Sequence, residues 1–346
     1  MMRAKRILLS PLDWGLGHTS RCIPLLQLLI SRGHIITIAC NEKQKEIFSA
    51  LFPELTYVHL DGYDIQYPTN GRMALSMTFQ SGKILNAIKK EQSWVKDFVE
   101  VHPQDFIISD NRFGFHHSRI ESVYITHQIN IQGPSLLKPI LYTIHKTYID
   151  NFHHCWIPDG ANYELTGMLS KTAIRRFKFI GVLSRFKSPV PLQDNYDYKY
   201  LGIVSGPEPQ KSVFFKLLEE EFSKSGVSCA IIGGTNNSKS SDNITYFNHL
   251  NPDEFKDLVQ NSELCISRSG YSTIMDFSVL QKPIHFVPTS GQTEQEYLAK
   301  HHKKTNSIGY QLQNSFKLPD ASQFGTIACI EEPEITLLDR LDRLGL

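Results

Sequence analysis

Short apolar runs alternate along this chain with stretches of helical spacing, and nearly every run is closed by a glycine, a proline or a polar turn. Arg6–Ser10 reads as a strand, Pro11 to Arg21 as the loop behind it, and Ile23 to Ile30 as an apolar helix with Pro24 in its first turn. A strand at Ile35–Ala39 completes a strand-helix-strand unit. The same alternation continues through a polar helix at Lys43–Leu51, a strand near Thr56–Leu60, an exposed loop over 61–80 and a long amphipathic helix from Ile84 to Val101. Strands follow at Phe106–Ser109, ending at Asp110, and at Val123–Thr126, ending at His127-Gln128. Ser135 to Asn151 places Leu136, Leu137, Ile140, Leu141, Ile144 and Tyr148 on one side, which reads as a core-facing helix, with a membrane-contacting face as the second reading.

Leu183 to Asp197 has no periodicity and reads as a linker. Beyond it the pattern restarts. Tyr200–Val204 is a strand, Ser205-Gly206 opens a turn, and Ser212–Phe222 is a helix; strands at Ser228–Gly233 and Thr245–Leu250 and a helix at Pro252–Gln260 follow. A turn is expected at Gly234 to Asn237. Pro333 to Leu346 reads as a closing helix. Strands alternating with helices throughout predict an α/β fold with parallel sheets.

The most informative stretch is Leu264 to His301. Leu264–Ser267 is a strand, Arg268-Ser269-Gly270 a tight turn, and Ile274, Phe277 and Leu280 recur at helical spacing; Ile284–Val287 and a helix from Glu294 repeat the arrangement. Loops beyond the carboxyl ends of parallel strands line the ligand crevice, and a glycine turn opening a helix offers N–H groups to an anion. Ser269-Gly270 is therefore a phosphate seat. Asp276 shares a helical face with Ser272 and Thr273, which suits a hydroxylated ligand such as ribose, and Gln295 and Glu296 add an amide and a carboxylate suited to sugar hydroxyls. Phosphate, ribose and sugar contacts in that order describe a nucleotide-sugar site.

Arg268-Ser269-Gly270 with Asp276, followed by Phe286-Val287-Pro288 and Gln295-Glu296-Tyr297, resembles the donor signature of GT-B glycosyltransferases of family 28, whose members include the N-acetylglucosaminyltransferase that forms lipid II. The resemblance implies two Rossmann-like domains facing across a cleft: an acceptor domain at 1–184, a donor domain at 185–330 and a closing helix at 331–346. It also implies that Asp276 holds the uridine ribose, that Gln295 and Glu296 hold the hexose, that Ser205 and Gly206 lie over the pyrophosphate and that Leu250 borders the base. Glu296 departs from the family's Gln-Gln pair. Gly15, Gly17 and His18 match the family's glycine-rich first loop ending in His, and His127-Gln128 matches a polar group near the acceptor.

An inverting transferase needs a base for the acceptor proton, and imidazole is tuned for that near neutrality. His18 is the first candidate, with Asp13 and Asp110 as rivals; a second reading of His18 is a helix-start residue binding phosphate or a neighbouring carbonyl. Arg268 either neutralises phosphate or braces the loop.

Charge and composition narrow the alternatives. The 346 residues carry 36 Lys+Arg and 35 Asp+Glu, split as +5 over residues 1–184 and −4 over 185–346. Near neutrality without a basic-aromatic cluster argues against nucleic acid, while the basic first half suits peripheral contact with an anionic membrane. Six cysteines without a Cys-x-x-Cys pair suit buried thiols in a reducing compartment, and the N-terminus lacks the apolar length of a signal peptide, so a cytoplasmic location is expected. Gly15-x-Gly17 lacks the third glycine and the acid that nicotinamide binding needs. His116-His117, His153-His154-Cys155 and His301-His302 have no zinc spacing, and there is no Asp-x-Asp, so metal-independent chemistry is expected.

The expected activity is inverting transfer of a hexose or N-acetylhexosamine from a UDP-sugar to a glycan, lipid-linked or small-molecule acceptor, with no cofactor. The alternatives are a nucleotide-sugar 2-epimerase of the same fold and a non-catalytic nucleotide-sugar-binding protein.

Overall fold

A computed structural model describes residues 3–63, 81–133, 137–234, 242–248, 250–306, 308–330 and 333–346. Most of the 61–80 loop, residues 235–237 of the expected turn, and Ser135 and Leu136 lie outside the described residues. The chain divides into two compact units, with the boundary between Leu183 and Ser184 and a return to the first unit at Ile330.

In the first unit, β1 (Arg6–Pro11), β2 (Ile35–Cys40), β3 (Thr56–His59), β4 (Phe106–Asp110), β5 (Glu121–Ile125), β6 (His154–Ile157) and β7 (Phe177–Phe179) form one parallel sheet in the order β3-β2-β1-β4-β5-β6-β7. Every residue of β4, and all but the first of β1, is buried, as central strands covered on both faces require. The connecting helices are α1 (Leu16–Ser31), α2 (Glu42–Leu51), α3 (Ser81–Val101) and α4 (Lys138–Ile149). The α2 start is set by a capping box, in which Asn41 accepts from the Gln44 N–H and the Gln44 side chain accepts from the Asn41 N–H.

Two helices differ from the sequence reading. α1 begins at Leu16, so Gly17, His18 and Arg21 are helical and Pro24 sits in the third turn, where it has no N–H to add to the helix ladder. The apolar spacing is absent from that first part because its side chains are engaged in polar contacts at the end of the sheet. In α4 the predicted core face is divided: Leu137, Ile140 and Ile144 are 46%, 56% and 51% exposed, Leu141 is half-buried, Tyr148 packs on Phe113, and His145 and Ile149 are the buried positions.

The loop following β4 is held by a buried pair. Arg112 bonds Glu91 through Nε, and its Nη2 donates to the Asp61 carbonyl at 2.5 Å. Glu91 Oε2 in turn accepts from Tyr63 Oη at 2.9 Å and from the Gly114 N–H at 2.7 Å. Residue 114 must be glycine, since a Cβ there would lie 2.3 Å from the Ile88 carbonyl oxygen.

In the second unit, β8 (Tyr198–Ile203), β9 (Cys229–Ile232), β10 (Ile244–Phe247), β11 (Ser262–Ser267), β12 (Ile284–Phe286) and β13 (Gly309–Tyr310) form a second parallel sheet, ordered β10-β9-β8-β11-β12-β13. Its helices are α5 (Gln210–Ser225), α6 (Pro252–Gln260), α7 (Tyr271–Leu280) and α8 (Thr293–Asn306). The two-residue β13 was not foreseen. Both sheets reverse their strand order beside the first strand, between β1 and β4 and between β8 and β11, so each unit has a topological switch point of the Rossmann type. The expected linker is packed: Phe186 and Val190 are buried, Phe186 stacks on Phe255, and the Val190 N–H donates to the Leu280 carbonyl at 2.9 Å.

α9 (Pro333–Leu344) belongs to the first unit. Leu337, Leu341 and Leu346 are buried, Lys5 Nζ donates to the Leu344 carbonyl at 2.6 Å, and Arg32 pairs with Asp342 at 2.8 Å. Among the described residues no helix is long and apolar enough to cross a membrane.

His285 on β12 is buried against Phe316 and Phe324, and neither ring nitrogen has a hydrogen-bond partner. Burial pushes its pKa down to about 4. The folded protein must therefore keep His285 neutral, so its stability contribution is complete above pH ~6.5 and is lost as pH falls towards 4. The expected loss from this residue between pH 7 and pH 5 is about 2 kcal/mol. Urea unfolding at both pH values should show His285→Leu losing that much less stability on acidification than wild type.

Candidate active site

The carboxyl ends of β1, β4 and β5 bring four side chains of the first unit together. Gly15, at φ +100°, turns the chain out of β1, and α1 then places His18 and Arg21 one turn apart on the same side. Asp110 ends β4, and its side chain has no exposed surface. His18 Nδ1 lies 3.0 Å from Asp110 Oδ2, and Arg21 Nε lies 2.9 Å from each Asp110 oxygen, with Nη2 also bonding Oδ1. Arg21 further places Nη2 at 2.8 Å from His18 Nδ1 and Nη1 at 3.1 Å from His127 Nδ1.

The electrostatics follow from these contacts. Burial alone would raise the Asp110 pKa, but Arg21 and His18 outweigh it and hold the carboxyl below its ordinary range. Burial, and then the charge of Arg21, lower the His18 pKa against the opposing pull of Asp110, so the imidazole is neutral at pH 7. His18 retains 13% side-chain exposure. A neutral, partly accessible imidazole with Nδ1 against a carboxylate is equipped to accept a proton at Nε2.

The rival carboxylates are occupied. Asp13 Oδ1 accepts from the Tyr63 N–H at 3.1 Å, and its carboxylate fills the space beside Gly62 so closely that a Cβ there would sit 1.8 Å from Oδ2. Asp110 is clamped by Arg21. Gly17 lies in the first turn of α1, and Gln128 follows His127, with its N–H donating to Thr126 Oγ1 at 3.2 Å.

In the second unit, Ser205 and Gly206 are exposed just past β8, with Gly206 at φ +104°, although α5 starts four residues beyond Gly206. Leu250 precedes the α6 cap, where Asn251 accepts from the Asp253 and Glu254 N–H groups. Arg268 points into the fold: Nη1 donates to the Val287 carbonyl at 2.9 Å, Nη2 to the Gln210 carbonyl at 3.2 Å and to Gln313 Oε1 at 2.5 Å, and the guanidinium lies 4.1 Å from the Phe214 ring centre. Of its two readings that geometry is the brace and not the donor contact, and burial lowers the pKa of Arg268 to about 9.

Ser269 Oγ donates to the Gln295 carbonyl at 2.7 Å, Gln295 Oε1 accepts from the Thr289 N–H at 2.8 Å, and Glu296 Oε1 accepts from the Gly291 N–H at 2.9 Å. These three side chains shape the β12–α8 loop and its junction with β11. Gly270 caps α7 without a side-chain bond. Asp276 accepts from Ser184 Oγ at 2.8 Å and pairs with Arg185 Nε at 3.2 Å, and burial outweighs both in raising its pKa.

Arg21, Ser184 and Arg185 were not singled out from sequence. Arg21 had a legible signal, three residues after His18, once those residues are helical. Ser184 and Arg185 had none, because they reach Asp276 from a segment without periodicity. Among the described residues, no group of three or more His, Cys, Asp or Glu side chains is arranged to hold a metal ion.

Residues 227–320 match the family model of the glycosyltransferase family 28 C-terminal domain. No curated protein matches the chain in sequence. Solved structures similar in fold include the glycotransferase of kitacinnamycin, 13% identical, covering 99% of this chain and 94% of that one at a TM-score of 0.66. The spinosyn rhamnosyltransferase SpnG is 12% identical, with 98% and 92% covered and a TM-score of 0.63. Arabidopsis thaliana UGT89C1 complexed with UDP-L-rhamnose is 14% identical, with 99% and 94% covered and a TM-score of 0.60. Two Rossmann-like units give the chain the GT-B fold of these solved structures, and within its second unit residues 227–320 match a glycosyltransferase family 28 C-terminal domain.

Proposed function

We propose that this glycosyltransferase moves a hexose or N-acetylhexosamine from a UDP-sugar to an acceptor hydroxyl with inversion, and that His18 is the base. The observation that carries the reading is the neutral His18 imidazole set 3.0 Å from the Asp110 carboxylate at the switch point of the first unit. As the acceptor oxygen bonds to the anomeric carbon, its proton passes to His18 Nε2 and the bond to the diphosphate breaks. Asp110, ionised beforehand, faces the imidazolium that results.

The second unit holds the donor in this reading. Helix N–H groups behind Gly270 and the exposed turn at Ser205-Gly206 meet the charge of the departing diphosphate without a metal step. Asp276 takes the ribose hydroxyls, sharing its oxygens with Ser184 and Arg185, while the Gln295 amide and the second oxygen of Glu296 face the hexose. The family 28 match spans the β11–α8 segment, and UGT89C1 is a solved example of this fold with a UDP-sugar bound. For the acceptor, the exposed Leu137, Ile140 and Ile144 stripe on α4, with exposed Lys138 beside it, favours a lipid-linked substrate met at the cytoplasmic face of an anionic membrane.

Calorimetric titration with UDP, dTDP and GDP, without added metal, tests the donor. UDP should bind, and Asp276→Ala should weaken it by about 10- to 100-fold, the scale of hydrogen bonds to a charged group. Failure of all three nucleotides to bind would end the donor assignment. With a transferable UDP-sugar identified, His18→Ala should lower kcat by about 10²- to 10⁴-fold with UDP affinity unchanged. The acid limb of kcat/KM should fall below the ordinary histidine value, because the base is held neutral there. Wild type should sediment with phosphatidylglycerol vesicles and Ile140→Asp with Ile144→Asp should not; equal sedimentation would remove the membrane from the reading.

A further inference from the structure

We propose that Arg21 is a positioning residue for the His18 base: by clamping Asp110 while standing against both His18 and His127, this one side chain fixes which nitrogen of His18 carries the proton. The inference rests on the reading of His18 as the base.

The argument begins with a contest for one atom. His18 Nδ1 lies 3.0 Å from an acceptor, Asp110 Oδ2, and 2.8 Å from a donor, Arg21 Nη2. A neutral imidazole nitrogen satisfies one of these, not both. With the proton on Nδ1, directed at Oδ2, the lone pair is on Nε2 and the ring is a base towards an acceptor hydroxyl. With the proton on Nε2, Nδ1 accepts from Arg21 and the ring is idle as a base at Nε2.

Arg21 decides the contest through Asp110. Its Nε and Nη2 form a fork on the carboxylate, the arrangement that guanidinium and carboxylate geometry match best, and its Nη1 is directed to His127. The fork keeps a carboxylate of zero exposure ionised, and an ionised Oδ2 is a far stronger partner for Nδ1–H than a protonated one. The same guanidinium, being a fixed positive charge at the ring, opposes a second proton. Among the described residues, Asp110 from β4, Tyr124 from β5, His127 beyond it, and Arg21 and Cys22 from α1 are titratable and charged groups that face this centre. Of these, Arg21 and His127 act with burial to lower the His18 pKa, and Asp110 acts against them. Lysine at this position would keep the charge and lose the fork.

Long-range ¹⁵N NMR of the labelled imidazoles, on the ligand-free full chain, reads both tautomer and titration. Wild-type His18 should carry its proton on Nδ1 and titrate below the ordinary histidine value. In Arg21→Gln the titration should move up by about one pH unit or more, as the loss of a charge at hydrogen-bond distance requires, and the acid limb of kcat/KM should move with it. Arg21→Lys should restore the low titration without restoring the pure Nδ1–H form. An Arg21→Gln protein that unfolds at the wild-type urea midpoint with an unchanged tautomer and titration overturns the proposal, as does a loss of kcat at every pH with no shift of the acid limb. If Arg21→Gln fails to fold, Arg21→Lys carries the test, and an unaltered Nδ1–H fraction there overturns it. The NMR titration needs no substrate, so undiminished transfer by His18→Ala would remove the base assignment while leaving the effect of Arg21 on the ring separately measured.

Discussion

An ionised carboxylate with no exposed surface is costly unless a cation is brought to it, and Asp110 stands in that condition at the end of the central strand β4. Its partner, Arg21, comes from α1 in the adjacent crossover, which requires the helix to begin early enough for its second turn to overlie the strand end. Two residues on, Arg112 repeats the arrangement in reverse, a buried guanidinium answered by Glu91 of α3. The chain between Asp110 and Arg112 is thus tied at both ends by buried ion pairs, and removing one partner of such a pair costs about 3–5 kcal/mol. The strain-tolerant Asn111, at φ +63°, lies between them with its Oδ1 accepting from Tyr124 Oη at 2.7 Å. Rigidity here follows from charge burial, and the histidine inherits it.

The second unit solves a different problem. Its polar side chains at the strand ends are largely spent on the loops themselves: Ser269 on the Gln295 carbonyl, Gln295 and Glu296 on N–H groups of the preceding turn, and Arg268 on two carbonyls. What such loops present beside these half-engaged side chains is backbone, at helix starts and glycine turns. An anion is well served by that, because backbone N–H groups held by the fold need no reorganisation when the ligand arrives.

Much of this was legible along the chain, and the exceptions share a cause. α6 was read at its true limits because Asn251, Pro252 and Glu254 signal a helix start in local chemistry alone, through a cap, a proline at N1 and a capping box. The switch-point loops were found because glycine and polar residues interrupt strongly apolar strands. α1 was begun late because Gly17 to Arg21 lack apolar periodicity; their partners lie about 90 and 110 residues away, at Asp110 and His127, and no local rule reports that distance. In α4, apolar spacing was present but a spacing does not say how far the core reaches round the helix, and the core took His145 and Ile149 with only Tyr148 of the predicted face packed against it. Arg268 kept two readings along the chain, phosphate contact or brace, since a strand-end arginine reads alike whether it turns outward or inward, and its bonds to the Val287 and Gln210 carbonyls are those of the brace.

The return of α9 to the first unit has a consequence for how the protein comes into being. Leu337, Leu341 and Leu346 are buried, and α9 is bonded by Lys5 ahead of β1 and by Arg32 at the end of α1. On the ribosome the first sheet emerges whole, yet its last helix is made only after the entire second unit has been synthesised. The second unit is therefore an insertion in the chain order of the first. During synthesis the bonds that Lys5 and Arg32 make to α9 form only after the whole second unit has been made.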